Sequence, residues 1–144
     1  MENSESLKLG NQICFPLYAI AKEITGLYRP FLDELDITYP QYLVMMILWE
    51  KDGYTVNHIG EELFLDSGTL TPLLKRLESK GFISRKRKKE DERVVQIFLT
   101  ENGKELKQKA CDVPAKILEK INVPIEDLME LKTSIHKILN KIEK

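Results

Sequence analysis

A mainly α chain (α+β) carrying one short β-hairpin is the fold class this sequence predicts, on three observations. Apolar residues recur at steps of three and four through both ends of the chain. Three segments open on a threonine suited to cap a helix: Thr38, Thr55 and Thr100. The strand-like pair FISRKR and VVQIFLT flanks a charged run, KKEDER. With 144 residues and 42% hydrophobic content, the chain fits a single domain over residues 1–144. Within it, residues 36–99 read as a compact unit, and residues 7–35 and 100–144 as helices that need a partner.

Taken in order, Ile13, Leu17, Ile20, Ile24, Leu27 and Phe31 form one stripe of a long first helix. Pro16 either marks a helix that begins near Phe15 or kinks it, because proline lacks the N–H for an interior helical bond. Thr38 and Gln41 make a capping-box pair, Pro40 sits in the first turn, and the helix runs through YLVMMILWE. A short helix after Thr55 (VNHIGEELF) is followed by a break at LDSG. The next helix, TLTPLLKRLESK, ends on Gly81, a residue suited to a left-handed stop. After the hairpin, Thr100 caps ENGKELKQKA, and helical patterning resumes beyond Pro114. Ile125, Leu128, Leu131, Ile135, Ile138 and Ile142 then form a seam too apolar for an isolated surface helix. With the first helix, this seam points to a homodimer.

Composition narrows the function classes. Two cysteines 97 positions apart and two histidines, without CxxC or HExxH spacing, predict no metal site and no cofactor. The longest apolar run, Tyr42 to Trp49, is too short to span a bilayer, and the opening MENSESLKLGNQ has no signal-peptide character. A cytoplasmic, reducing location with free thiols is therefore expected. The net charge of −1 hides a basic block: residues 75–93 hold nine Lys and Arg against four Asp and Glu. Such a block is either a solvated loop or a localised field for an anionic partner.

Two tightly joined helices followed by a charged hairpin form a winged helix-turn-helix, whose second helix enters the major groove of double-stranded DNA. Ser67, Thr69 and Thr71 stand at that helix's N-terminal end, where hydroxyls and free N–H groups meet phosphates or base edges. Lys75 and Arg76 follow on its exposed side, while Leu70, Leu73, Leu74 and Leu77 face the core. In the hairpin, Arg85, Lys88 and Lys89 suit phosphates. Asp91 is placed to hold Arg93 extended towards a narrow minor groove.

The stretches NQICFPLYA, LYRPFL, ITYPQYLVMMILWE, LFLDSGTLTPLLKRLESKGFISRKR and EDERVVQIFLTENG resemble the MarR family, specifically its OhrR-type organic hydroperoxide-sensing repressors. The resemblance covers most of the chain. It implies a homodimer that binds a pseudopalindromic operator and releases it when an N-terminal cysteine, here Cys14, is oxidised. It also implies that Tyr28 and Tyr39 donate hydrogen bonds to that sulfur. Fourteen residues of helix separate Cys14 from Tyr28 by roughly 21 Å, so within one chain they cannot touch. Antiparallel pairing of the first helices would bring the partner's tyrosines to the thiol, where phenolic donors favour the reactive thiolate. The resemblance does not settle Cys111, which is either a structural thiol or a resolving thiol pairing with Cys14 across the dimer.

Two rival readings remain at this level. A regulator of the same fold can instead answer a small aromatic ligand, leaving Cys14 a buried bystander. A thiol enzyme using Cys14 as nucleophile finds no support, since neither His58 nor His136 is near it in sequence and no GxSxG elbow is present.

Overall fold

The computed structural model describes residues 3–142. A four-residue helix, α1 (Asn3–Ser6), and a 3₁₀ turn (Leu9–Asn11) precede the long α2 (Cys14–Glu34). Then come α3 (Tyr39–Glu50), α4 (Val56–Leu63), α5 (Ser67–Ser79), β1 (Ile83–Arg87), β2 (Val95–Leu99), α6 (Glu101–Ala110), α7 (Val113–Ile121) and α8 (Ile125–Lys141). The chain divides into two units, one ending at Val113 and one beginning at Pro114.

In the first unit, local sequence chemistry accounts for most boundaries. Thr38 Oγ1 accepts from the Gln41 N–H at 3.3 Å and Gln41 Oε1 accepts from the Thr38 N–H at 3.0 Å, so both partners of the capping box are satisfied. Of the two outcomes expected at Pro16, the structure shows the helix beginning near Phe15: α2 starts at Cys14, and Pro16, its third residue, has no intrahelical N–H bond to lose. The start of α5 differs from the sequence expectation. Asp66 caps it through a 2.7 Å bond from the Thr69 N–H, which draws Ser67 and Gly68 out of the expected break and into the first turn. At the other end Gly81 adopts φ +84°, and Gly81 N–H and Phe82 N–H donate back to Glu78 and Leu77 in a Schellman stop.

β1 and β2 pair antiparallel, with Ile83 opposite Leu99 and Arg87 opposite Val95. A third, minimal strand joins them where Thr55 bridges Gln96. Gly53, at φ +87°, makes the turn into that strand, and a Cβ there would press on the Phe98 ring at 3.1 Å.

The core of this unit gathers Leu32, Tyr42, Val44, Met45, Leu48, Ile59, Leu70, Leu74, Leu77, Ile83 and Ile97, each 4% exposed or less. All four leucines expected to hold α5 in the core are buried. Burying side chains of this size is worth roughly 1.5–3 kcal/mol each, so α5 is fixed by its apolar face and its polar face is left free. The α2 stripe divides along its length: Leu32 is buried, whereas Ile13, Leu17 and Ile20 are 83%, 39% and 45% exposed. In the second unit, α8 has no buried residue, and Ile125, Leu131, Ile138 and Ile142 are all exposed.

Candidate nucleic-acid interface and thiol site

The helix pair α4 and α5 is joined by a turn in which Phe64 takes the left-handed conformation at φ 58° and the Leu65 N–H donates to the Gly60 carbonyl at 2.9 Å. From α5, Ser67, Thr69, Lys75 and Arg76 are exposed, while Thr71 is half-buried. Asp66 holds the Thr69 N–H and hydroxyl, and these bonds, largest first, lower its carboxyl below the ordinary range. The N-terminal end of α5 is thus exposed, but the Thr69 N–H and hydroxyl, expected to be free for a phosphate, are taken by the Asp66 carboxylate that caps the helix.

In the hairpin the expected Asp91–Arg93 pair is present. Arg93 Nε donates to Asp91 Oδ1 at 3.0 Å and its terminal nitrogen to Oδ2 at 3.2 Å, with the Arg93 N–H also on Oδ1 at 3.0 Å. The guanidinium's side-chain hydrogen bond, ahead of the backbone one, holds the Asp91 carboxyl below the usual carboxylate range. The Arg93 side chain is nonetheless 91% exposed. The hairpin therefore presents a charged fork already fixed in direction. Arg85 is less free: its Nε lies 3.4 Å from Glu78 of α5, so it ties strand to helix. Lys89 is exposed, and Lys88 is half-buried at the start of the loop.

Cys14 is exposed in the single chain, at the first turn of α2. The free N–H groups of a helix start favour negative charge nearby. Tyr28 of α2 and Tyr39 of α3 come together, their ring centroids 4.8 Å apart. Tyr42, which the sequence reading did not single out, joins them at 5.7 Å and 6.2 Å. Its signal was its spacing, three residues beyond Tyr39 and so on the same face of α3. Trp49 extends the row, 6.3 Å from Tyr42, and donates its indole N–H to the Gly103 carbonyl at 2.9 Å.

Burial first, then the neighbouring Tyr39 and Tyr42, pushes the Tyr28 phenol up to about 12, and burial raises Tyr39 in the same direction. Both therefore stay protonated and able to donate at neutral pH. A stability consequence follows, since the unfolded chain releases the Tyr28 proton near the ordinary value of 10.0. The cluster's contribution is intact below that pH and is lost as pH rises towards 12. Thermal melts across this window should show the decline, and Tyr28→Phe should remove part of it.

Cys111 caps the C-terminal end of α6, exposed, with its Sγ donating to the Gln108 carbonyl at 3.0 Å. No group of His, Cys, Asp and Glu suited to a metal ion occurs among the described residues, and none of the described helices is long and apolar enough to cross a membrane.

Residues 26–110 match the family of SarA/Rot transcriptional regulators. The organic hydroperoxide resistance transcriptional regulator of Bacillus subtilis (strain 168) is 52% identical over 143 residues, covering 99% of this chain and 97% of that protein. Reduced AbfR bound to DNA superposes with a TM-score of 0.75 at 36% identity, covering 95% of this chain and 99% of that one. Disulfide-formed AbfR gives 0.63 at 37% identity, covering 94% and 96%; AbfR has been solved from Staphylococcus epidermidis. The chain is therefore a winged-helix transcriptional regulator of the SarA/Rot and MarR type, and it belongs with the OhrR-type organic hydroperoxide resistance regulators.

Proposed function

We propose that the protein is a homodimeric transcriptional repressor that binds a pseudopalindromic DNA operator in its reduced state and releases it when an organic hydroperoxide oxidises Cys14. The observation that carries this reading is the Tyr28–Tyr39 pair, two protonated phenols brought together by α2 and α3 on a chain whose thiol lies about 21 Å away along the same helix. The uncovered apolar stripe of α2 offers the remedy. Antiparallel packing of two α2 helices buries Leu17 and Ile20 and brings the partner's phenols to Cys14. The α8 seam is likewise available to a second copy.

In this arrangement the phenols stabilise the thiolate. The sulfur attacks one peroxide oxygen: an S–O bond forms, the O–O bond breaks, and the sulfur electron pair reduces the peroxide to an alkoxide that takes up a proton as an alcohol. The product is a sulfenic acid. Phe15, Leu17 and Tyr18 beside Cys14 give the site an apolar approach suited to an organic peroxide. The thiol is consumed once per event, as befits a regulator rather than a catalyst.

Release follows from the position of α3. It carries Tyr39 and Tyr42, packs on α2, and also packs on α4, α5 and β2. A sulfenic acid, or a larger adduct formed from it, has no room in a closely packed aromatic cluster, so its accommodation shifts α3 and with it the spacing of the two α5 helices on successive major grooves.

The DNA contacts are assigned to Ser67, Thr69, Thr71, Lys75 and Arg76 on α5 and to Arg85, Lys88, Lys89, Asp91 and Arg93 in the hairpin. Selection from a randomised DNA pool tests the proposal. The reduced protein should enrich a sequence with two-fold symmetry, and cumene hydroperoxide should elute it. Recovery of asymmetric sequences, or retention after the peroxide, would contradict it.

A further inference from the structure

The turn before α4 and the first residue after β1 enclose a cleft of about 500 Å³ that meets the interface described above only at Lys88. Its lining includes Lys51, Asp52, Tyr54, His58, Lys88 and Gln96. Several contacts make it a built cleft. The Tyr54 and His58 rings stack 4.2 Å apart at an interplanar angle of 17°, and the Lys51 ammonium lies 5.6 Å from the Tyr54 centroid. Gln96 Nε2 donates to the Gly53 carbonyl, and the Lys88 N–H donates to the Val94 carbonyl at the neck of the hairpin.

The charges in the cleft are unbalanced. Asp52 turns its Oδ1 to the Gly53 and Leu99 N–H groups, at 3.0 and 2.8 Å, and Glu62 sits 3.5 Å from His58 Nε2. Neither Lys51 nor Lys88 has an ion-pair partner among the described residues. Lys51 and Lys88 thus bring two ammonium groups to the lining of a polar cleft against the single carboxylate of Asp52, beside an imidazole and a phenol, and a phosphate group is the ligand chemistry they fit.

Position identifies the source of that phosphate. The cleft lies at the start of α4, the first helix of the helix-turn-helix, which crosses the DNA backbone while the second helix lies in the groove. It shares Lys88 with the hairpin. Resting on the DNA-binding reading above, we propose that Lys51, held over the Tyr54 ring, and Lys88 clamp one backbone phosphate of the operator in each half-site. Such a contact is blind to base sequence and adds to affinity and register.

Salt titrations of operator binding test this. Lys51→Gln should lower the slope of log K against log salt by about 0.9 for each phosphate released, and should weaken operator and unrelated duplex alike. Lys88→Gln should do the same. A methylphosphonate scan should find one backbone position per half-site at which removing the charge weakens the unmodified protein but not Lys51→Gln. An unchanged slope in both variants, or no such position, would overturn the clamp while leaving the repressor reading standing. Inorganic phosphate shifting the cleft's amide resonances in both its free and its DNA-bound form would assign the cleft to a free anion, and would likewise overturn it. Failure of the unmodified reduced protein to bind any DNA would remove both readings together.

Discussion

Ile20→Asp is expected to yield a monomer that loses operator affinity by about a hundredfold or more. Ile20 is 45% exposed at the middle of the α2 stripe, between Leu17 and the half-buried Ile24. A carboxylate there leaves the folded unit intact but places an unpaired charge in any α2–α2 contact, which association cannot accommodate. A dimer reading two half-sites gains about 10²–10⁴ in avidity over one reading head, and that factor disappears with the interface. Sedimentation and fluorescence anisotropy on the same preparation check both effects. A dimeric Ile20→Asp protein with full affinity would place the interface elsewhere.

The second large effect is expected at Arg93. Arg93→Ala should weaken specific binding by about 1–3 kcal/mol, the range for a well-made base contact, while unrelated duplex loses much less. Asp91→Ala should produce part of the same loss, because the carboxylate fixes the guanidinium through two side-chain bonds. The sign of the pH dependence follows from the lowered Asp91 carboxyl: the pair holds throughout the neutral and mildly acidic range and loosens only as pH falls through that lowered value. Affinities of both variants for matched and scrambled operators provide the check.

Much of this arrangement was legible in the sequence because it is local. A Thr–Pro–Gln helix start, four leucines at helical spacing and a glycine after KRLESK each have one low-energy solution. The structure shows the capping box, the buried face of α5 and the left-handed Gly81 accordingly. The Asp91–Arg93 fork is likewise a contact two residues apart.

What escaped the reading is tertiary or depends on competition between neighbours. Ser67 looked like part of a break, since LDSG is turn-forming, but Asp66 satisfies the free N–H groups and moves the helix start forward. Tyr42 stood in a continuous apolar run that conceals which face meets Tyr28. The cleft of Lys51, His58 and Lys88 draws on three separate stretches of chain, joined only when Thr55 pairs with Gln96. The residues around Cys14 are apolar in sequence, yet they are uncovered in the single chain, because what covers them lies outside it.

The central claim, that oxidation of Cys14 alone switches operator binding, is tested most directly by adding one equivalent of cumene hydroperoxide to operator-bound protein while following anisotropy. The unmodified protein should release its DNA, with mass spectrometry placing the added oxygen, or a disulfide derived from it, on Cys14. Cys14→Ser should bind the operator as tightly as the reduced protein and stay bound. Release from Cys14→Ser, or an oxidised Cys14 in protein still holding its operator at full affinity, would contradict the account.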